Sequence, residues 1–178
     1  MLDTTENKYL IILGGLPGTG KTTIARLLSE KIGAMHLRID TIEASIKRSF
    51  PNTNDLKEAG YLIAYDLAKD NLRLGHVVIA DSVNPIQITR KAWRNVATES
   101  HTDFIEIEFI CSDSIEHKNR IETRSSDITG QILPTWEKVQ NRDYQSWNLK
   151  GLQIDTATSS PESCVDEIIK YLKVVKLL

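Results

Sequence analysis

Eight consecutive residues, from Gly15 to Thr22, constrain the fold of this chain more than any other feature of its sequence. They read Gly-Leu-Pro-Gly-Thr-Gly-Lys-Thr and lie between the apolar run Lys8–Leu13 and a segment, Lys21–Ile32, with apolar residues at helical spacing. A glycine-rich turn between a strand and a helix points backbone N–H groups inward, beside the positive end of the helix dipole. Such a turn is typical of a site for a phosphate chain.

The residue types within this turn have distinct predicted roles at a bound triphosphate. The glycines allow the tight curl, the Lys21 ammonium reaches the β- and γ-phosphates, and the Thr22 hydroxyl is a ligand for Mg²⁺. A glycine-rich turn that precedes a helix by chance is the alternative, and the strand before it argues against this. We predict that the nucleotide is bound by Gly15, Leu16, Pro17, Gly18, Thr19, Gly20, Lys21, Thr22 and Thr23.

The rest of the chain alternates short apolar runs with longer amphipathic segments, as in a parallel sheet covered by helices on both faces. The pattern predicts five strands, at Lys8–Leu13, Ala34–Ile39, His76–Ala80, Asp103–Cys111 and Leu152–Asp155. It predicts seven helices, at Lys21–Ile32, Thr41–Arg48, Leu56–Leu74, Pro85–Glu99, Ser114–Thr123, Thr135–Trp147 and Pro161–Val175. Pro51–Asp55 is a predicted loop and Ser125–Pro134 a polar, mobile excursion. We therefore predict the α/β class, with one domain over residues 1–178.

Composition narrows the class of protein further. A net charge of −2 argues against a general nucleic-acid binder, which would carry a basic excess. The two cysteines, Cys111 and Cys164, lie far apart and imply no disulfide framework, so a reducing compartment is expected. The first residues lack a basic segment followed by a long apolar stretch. We therefore predict a soluble, cytoplasmic protein without a nucleic-acid or membrane partner.

An acidic residue follows the second predicted strand, in the sequence Arg38-Ile39-Asp40. Open α/β sheets bind ligands at the edge where their strands end, so a carboxylate there can accept the proton of a substrate hydroxyl. Arg38 alternates with Asp40, and a pair between them would keep the carboxylate ionised and place Arg38 at the substrate. The alternative is that Asp40 caps the helix Thr41–Arg48, with Glu43 as its capping-box partner.

These residues together bear a resemblance to a known group of enzymes. GLPGTGKTT followed by RIDTIEASI resembles the P-loop kinases of the chloramphenicol phosphotransferase, polynucleotide kinase and zeta-toxin type, with their AAA-type ATP-binding domain. The resemblance continues through Val77–Asn84. This segment is similar to a strand of that family that ends in a four-residue motif: Asp, then Ser or Thr, then any residue, then Asn. It also takes in Arg120 with Arg124 and the late strand that ends in Asp155-Thr156.

The resemblance implies a three-layer P-loop NTPase domain, with a parallel sheet in the order 2-3-1-4-5 and a lid over about residues 124–135. It also implies ATP as the nucleotide and Asp40 as the acid that contacts the hydroxyl to be phosphorylated. One departure limits the acceptor. Polynucleotide kinases carry an arginine three residues beyond this acid, and Glu43 stands there in this chain, so a polynucleotide acceptor is disfavoured.

A second acid, Asp81, ends the most β-branched predicted strand. A carboxylate at that place binds Mg²⁺ through water or contacts the acceptor. We predict Asp81 as a metal and substrate ligand and Asn84 as a substrate contact; Ser82 is a similar candidate. The alternative for Asp81 is a cap for the helix that begins near Pro85.

Two arginines precede the predicted lid. Arg120 and Arg124 are four residues apart, so on a helix they share one face. A guanidinium over the phosphates neutralises charge on the transferring group, and we predict this catalytic role for Arg124 and a nucleotide-binding role for Arg120. The alternative is a solvated helix face paired with Glu116 or Glu122; Arg90 and Arg142 are further candidates.

Aromatic residues and histidines carry less information. Trp136, Tyr144 and Trp147 share a face of the predicted helix Thr135–Trp147, where they either line an acceptor pocket or seal the helix onto the sheet. The four histidines have no metal-ligand spacing and are assigned no chemistry.

Three functions fit these motifs. The leading prediction is an ATP- and Mg²⁺-dependent phosphotransferase that acts on the hydroxyl group of a small molecule. A regulatory NTPase that switches a protein partner is the second, although the sequence has no guanine-binding motif and no helical domain of the large ATPase machines. A toxin-type kinase of a sugar nucleotide is the third, because it would use the same site.

Overall fold

The central strand of the sheet is Tyr9–Gly14 (β1), and all six of its residues are buried. Such a strand is apolar on both faces because helices cover both sides of a parallel sheet. The computed structural model describes residues 8–51, 58–147 and 151–178. The predicted loop Pro51–Asp55 therefore lies almost wholly outside the described residues, as does the predicted start of the third helix at Leu56.

Five strands form one sheet in the order β2-β3-β1-β4-β5. The other four are β2 (Met35–Arg38), β3 (Val78–Asp81), β4 (Asp103–Ile110) and β5 (Leu152–Asp155). Every neighbouring pair is parallel, with Ile11 opposite Ile79 in β3 and opposite Ile105 in β4. The predicted α/β class and the 2-3-1-4-5 order are confirmed. Because the strands are parallel, the ends of β1, β2 and β3 meet at one edge.

Among the described residues, six helices connect these strands and a seventh follows β5. They are α1 (Lys21–Ile32), α2 (Ile39–Ser49), α3 (Ala59–Arg73), α4 (Gln87–Glu99), α5 (Ser114–Thr123), α6 (Trp136–Gln140) and α7 (Pro161–Val174). The sheet separates two apolar clusters. Ile11, Leu13 and Phe109 pack on α1 and α7, whereas Leu10 and Ile12 pack on α3 and α4 around the fully buried Trp93.

The sixth helix differs most from its prediction, since it ends at Gln140 and not at Trp147. Beyond it, the backbone N–H of Gln145 donates to the Pro85 carbonyl at 2.8 Å. The carbonyls of Gln145 and Ser146 accept hydrogen bonds from the Arg90 guanidinium. These tertiary hydrogen bonds replace the helical ones, so Tyr144 and Trp147 do not continue a helix face from Trp136.

No helix among the described residues is both long and apolar enough to cross a membrane.

Candidate active site

The turn after β1 has the curled backbone that its glycines predict. Gly15, Gly18 and Gly20 have φ angles of 135°, 84° and 83°, and α1 begins at the next residue, Lys21. A Cβ at Gly18 would lie 2.6 Å from Ile121 of α5, so this turn is closely packed from outside as well. A cradle of inward N–H groups at a helix start fits a nucleotide phosphate chain.

Leu16 and Thr19 are predicted nucleotide ligands that hydrogen-bond within the turn and do not line the cavity beside it. The Leu16 carbonyl accepts hydrogen bonds from the Thr19 hydroxyl at 2.9 Å and from the Lys21 ammonium at 3.0 Å. His117 of α5 lies 2.8 Å from the Pro17 carbonyl through its Nε2 atom. The phosphate loop is therefore held by side chains from α1 and α5 as well as by its own backbone.

A cavity of about 580 Å³ opens between the phosphate loop, the ends of β2 and β3, and residues 124–135, the lid segment. Its lining has six cationic side chains: Lys21, Arg26, Arg38, Arg120, Arg124 and Arg142. Three carboxylates face them: Asp40, Asp81 and Asp127. Because cations exceed carboxylates, the cavity fits an anionic ligand.

Lys21 lies at the base of this cavity and is almost fully buried. Burial lowers its pKa to about 8, although the carboxylates of Asp81 and Asp40 act in the opposite direction. The charges of Arg124 and Arg142 lower the pKa further. Among the described residues the Lys21 ammonium has no ion pair, and its hydrogen bond goes to the Leu16 carbonyl, so its charge is left for an anionic ligand and phosphate binding by Lys21 stays a prediction.

Asp81 is the last residue of β3 and lies close to both Lys21 and Thr22. Burial alone would raise its pKa, but the hydrogen bond with His36 and the charge of Lys21 outweigh burial, so its pKa is lowered. His36 Nε2 lies 3.0 Å from Asp81 Oδ2. The alternative role as a helix cap is wrong, because α4 begins at Gln87 with Ile86 as its N-cap.

Thr22 and Asp81 are the predicted Mg²⁺ ligands, and both line the cavity. No group of three or more His, Cys, Asp or Glu side chains within the described ranges is arranged to hold a metal ion. Mg²⁺ that is bound with nucleotide phosphates needs only one or two protein ligands, since phosphate and water oxygens complete its octahedron. One hydroxyl and one ionised carboxylate fit that requirement.

Asp40 lies in the first turn of α2 and lines the cavity. Its Oδ2 atom accepts a hydrogen bond of 3.0 Å from Gln131 of the lid segment. The alternative role as an N-cap is wrong, because the helix begins at Ile39 and Arg38 is the N-cap residue. The carboxylate is therefore available at the cavity.

Arg38 does not form its predicted pair with Asp40 in the described structure. Its Nη1 atom donates to both carboxylate oxygens of Asp127, at 2.9 and 3.1 Å. Arg26 of α1 also pairs with Asp127. The two arginines and their hydrogen bonds lower the pKa of Asp127 to about 2. Arg38 therefore holds the lid segment through Asp127. Because Arg38 also lines the cavity, a contact between Arg38 and the substrate stays a prediction.

The predicted substrate contact at Asn84 is wrong. Asn84 is fully buried and lies outside the cavity lining. Its side-chain amide donates to the Leu13 carbonyl at 2.6 Å, which ties the segment after β3 to the end of β1. The predicted Asp-Ser-Val-Asn series thus divides, with Asp81, Ser82 and Val83 at the cavity and Asn84 beneath it.

The two predicted lid arginines line the cavity in different ways. Arg120 donates to Glu116 at 2.7 Å and to the carbonyl and hydroxyl of Thr156 at 2.9 and 3.0 Å. Arg124 is the C-cap residue of α5, and its Nε and Nη2 atoms are buried without a hydrogen-bond partner among the described residues. Arg124 therefore has free donors for an anion, whereas Arg120 is already paired.

Sequence reasoning missed four residues that the fold brings to this site. His36, His117, Asp127 and Gln131 contact Asp81, the phosphate loop, Arg38 and Asp40, respectively. Each contact joins residues at least 45 positions apart in the chain, so no local pattern could have indicated them.

The aromatic residues after the lid segment seal parts of the fold. Trp147 packs on Gly14 and lies 4.4 Å from the Arg90 guanidinium. Tyr144 donates to the buried Glu108 at 3.0 Å. Trp136 stacks edge-on against His117, with ring centroids 5.2 Å apart. Of the two predicted roles, sealing fits these contacts.

A curled glycine loop on a parallel sheet of order 2-3-1-4-5 occurs in many nucleotide-binding proteins, so these two features alone do not identify the family. Residues 10–135 match the family model described as the AAA domain. The chain belongs to the AAA domain family. This AAA domain is 29% identical over 164 residues to an uncharacterized protein of Mycobacterium tuberculosis, and the match covers 83% of the chain.

The match covers only 32% of the mycobacterial protein, so this AAA domain spans about a third of the length of that relative. The chain is also 29% identical over 158 residues to the L-seryl-tRNA(Sec) kinase of Methanococcus maripaludis, covering 83% of the chain and 59% of the kinase. Among solved structures, the APS kinase of Mycobacterium tuberculosis in complex with AMPPNP and APS superposes with a TM-score of 0.71.

That superposition covers 94% of the AAA domain and 98% of the APS kinase, at 18% sequence identity. At this identity the likeness shows the fold. The predicted resemblance to the P-loop kinases is confirmed by the family match and by this shared fold.

Proposed function

We propose that this AAA domain is a phosphotransferase that moves the γ-phosphate of ATP to a hydroxyl group of a small molecule. The observation that carries the proposal is the placement of Asp40, Lys21 and Arg124 around one cavity at the phosphate loop. The kinase names of its relatives support the same reaction class. Free thiols at Cys111 and Cys164 support the cytoplasmic location that we propose for it.

The phosphate loop and the metal ligands would hold the cosubstrate. ATP, when bound, supplies the phosphoryl group that is transferred. The N–H groups of the loop and the Lys21 ammonium bind its phosphate oxygens, while Thr22 and Asp81 hold Mg²⁺. Asp81 suits this role because its lowered pKa keeps it ionised at neutral pH.

Asp40 would orient the acceptor and take its proton. A carboxylate oxygen that accepts the hydroxyl proton aligns the oxygen for attack and removes charge as the new bond forms. The hydrogen bond from Gln131 occupies Oδ2 and leaves Oδ1 for the acceptor. Gln131 is therefore a positioning residue for Asp40 in this proposal.

Arg124 would bind the transferring group from the lid side. Its Nε and Nη2 donors have no partner among the described residues. Burial lowers the pKa of the guanidinium, and the charge of Asp40, which lines the same cavity, opposes that shift. Fixed positive charge in a site that excludes water stabilises the transition state of phosphoryl transfer. The lid segment supplies that exclusion of water.

Two substitutions test the proposal. We expect Lys21→Ala to abolish ATP binding in calorimetry, because it removes the ammonium under the phosphates. Asp40→Asn should retain ATP affinity within about twofold and lower acceptor-dependent ADP formation by roughly 10²–10⁴-fold. The acceptor is found first, by a thermal-shift screen of hydroxyl-bearing metabolites in the presence of AMPPNP.

The matched control is Asp166→Asn, an exposed carboxylate on α7 that pairs with Lys31. It should leave both ATP affinity and transfer unchanged. Normal transfer by Asp40→Asn would show that this carboxylate is not the base. ATP consumption that responds to a protein and to no metabolite would favour the regulatory switch instead.

A further inference from the structure

Arg142 is a cation of the cavity for which the proposed reaction so far has no use. It is an exposed residue just beyond α6 that lines the cavity, and its side chain has no hydrogen bond or ion pair with the part of the chain that the structure describes. Its charge lowers the pKa of Lys21 and counteracts the rise that burial and Asp40 cause at Glu43. The guanidinium therefore lies within electrostatic reach of both the phosphate loop and α2.

The other cations of the cavity are already paired with carboxylates or have a role at the nucleotide in the proposed function. Arg26 and Arg38 share the carboxylate of Asp127, and Arg120 pairs with Glu116. Lys21 and Arg124 bind the triphosphate in the proposed function. Arg142 is left as a positive charge in the same cavity with no partner in residues 8–51, 58–147 and 151–178.

The position of Arg142 assigns it to the acceptor side of the cavity. Glu43 follows Asp40 by three residues on α2, so the two carboxylates share one helix face. Arg142 lines the same cavity as Asp40, and its charge also acts on Glu43 of that helix face, so it lies near the side from which Asp40 would contact the acceptor hydroxyl.

We propose that the acceptor carries an anionic group in addition to its hydroxyl group and that Arg142 binds this anion. The inference rests on the proposed phosphotransferase function and narrows its acceptor to a class. Carboxylate, sulfate and phosphate groups share the planar or tetrahedral oxygens that a guanidinium binds through paired N–H donors. Arg142 favours an anionic acceptor over a neutral alcohol, because only a charged group gains both charge attraction and paired hydrogen bonds from the guanidinium.

Sulfate is a probe for this subsite that does not need the acceptor to be known. The intact chain is first saturated with AMPPNP and Mg²⁺, so that the phosphate loop is filled and cannot bind sulfate. Sodium sulfate is then titrated at constant ionic strength, and the dissociation constant is measured by calorimetry and by thermal shift. We compare wild type with Arg142→Gln and with the control Arg73→Gln, an exposed arginine on α3.

We expect saturable sulfate binding to the wild-type complex and a loss of about tenfold or more in affinity in Arg142→Gln. Arg73→Gln should bind sulfate as wild type does. Equal sulfate affinity in wild type and Arg142→Gln, or no saturable binding in wild type, overturns the anion subsite. These outcomes leave the phosphotransferase proposal intact, whereas failure of AMPPNP to bind the wild-type chain overturns that proposal itself.

A second measurement uses acceptors in matched pairs, each a hydroxyl compound with and without a carboxylate or phosphate group. We expect wild type to have a lower KM for the anionic member. Arg142→Gln should raise that KM about tenfold or more and leave kcat within about threefold, because Arg142 binds and does not react. A wild-type preference for the neutral member would overturn the inference.

Discussion

The Arg38 guanidinium lies 2.9 Å from one carboxylate oxygen of Asp127 and 3.1 Å from the other. This ion pair joins the end of β2 to the lid segment, 89 residues later in the chain. Arg26 of α1 binds the same carboxylate. One aspartate thus holds the lid segment against two elements that border the phosphate loop.

Asp127→Asn should loosen the lid segment. The neutral amide loses both ion pairs, and we expect amide hydrogen exchange over residues 125–134 to accelerate at least about threefold. Because half of the Asp127 side chain is exposed, the free energy of unfolding should fall by less than about 1 kcal/mol. Asp166→Asn removes another exposed ion pair and should leave lid exchange unchanged. Unaltered exchange in Asp127→Asn would show that these pairs do not hold the lid.

The pH dependence of this contact follows from the pKa of Asp127. The two arginines lower the pKa to about 2, so the ion pairs are fully formed above the ordinary aspartate value. They weaken only as pH falls toward about 2. The amide hydrogen-exchange rates of the lid segment, corrected for the intrinsic pH dependence of exchange, should therefore be constant from about pH 5 to about pH 8. Faster exchange of the lid segment within that range would show that a group other than Asp127 holds it.

Nucleotide affinity should weaken in alkaline solution because of Lys21. Burial lowers the pKa of its ammonium from 10.5 to about 8, and triphosphate binding requires the protonated form. Above pH 8, binding must take up a proton, so the dissociation constant of AMPPNP should rise by as much as about tenfold per pH unit. Calorimetry in buffers with different ionisation enthalpies would measure the proton uptake directly.

Lys21→Arg is the control for this pH dependence. Arginine keeps its charge throughout, so its weaker binding should be nearly constant from about pH 7 to pH 9.5. The titration of Lys21 changes folding stability in the opposite direction to nucleotide affinity. Between about pH 8 and pH 10.5 the unfolded chain binds the Lys21 proton and the folded chain does not, so Lys21 adds to stability as pH rises there. If the dissociation constant of AMPPNP changed equally with pH in wild type and in Lys21→Arg, Lys21 would be excluded as the titrating group.

Asp81→Asn should separate metal binding from nucleotide binding. The amide is a poorer Mg²⁺ ligand than the ionised carboxylate, while Lys21 and the loop amides still bind phosphate. We expect Mg²⁺ to strengthen AMPPNP binding in wild type and to have at least about fivefold less effect in Asp81→Asn. Titrations with EDTA in place of Mg²⁺ should give similar affinities for both proteins. An undiminished Mg²⁺ effect would remove Asp81 from the metal site.

Arg90→Gln should destabilise the fold strongly. The buried guanidinium donates to the carbonyls of Asn84 and Pro85 at 2.9 Å and to that of Ser146 at 3.1 Å. Its loss leaves the carbonyl of the fully buried Asn84 unpaired and removes support for Trp147, so the free energy of unfolding should fall by about 2–4 kcal/mol. Urea unfolding measures this fall.

Arg94→Gln, one turn later on α4, is the control for Arg90. Arg94 is half-exposed and pairs with Glu106, so its loss should lower stability by no more than about 1 kcal/mol. Similar losses in the two variants would mean that the carbonyls around Arg90 find other partners.

Local patterns predicted the elements near the phosphate loop well. The apolar run of β1, the glycine spacing and the helical repeat of α1 all lie within residues 9–32, where local steric and hydrogen-bond preferences decide the conformation. The limits of α6 were mispredicted because hydrogen bonds from the Arg90 guanidinium and to the Pro85 carbonyl override the helical pattern after Gln140. Asn84 was misassigned because the sequence does not show which side chain of a loop points into the core.

The sequence by itself determined the α/β class, the phosphate loop and the presence of acids at the ends of β2 and β3. Periodicity and glycine spacing carry this information because it depends on residues close together in the chain. Tertiary structure alone decided the partners of those acids and cations. Asp40 contacts Gln131, Arg38 contacts Asp127, and Arg142 lines the cavity with no side-chain partner in the part of the chain that the structure describes. Charged side chains pair according to distance in space, and the packing of the lid segment on α1 and α2 sets that distance.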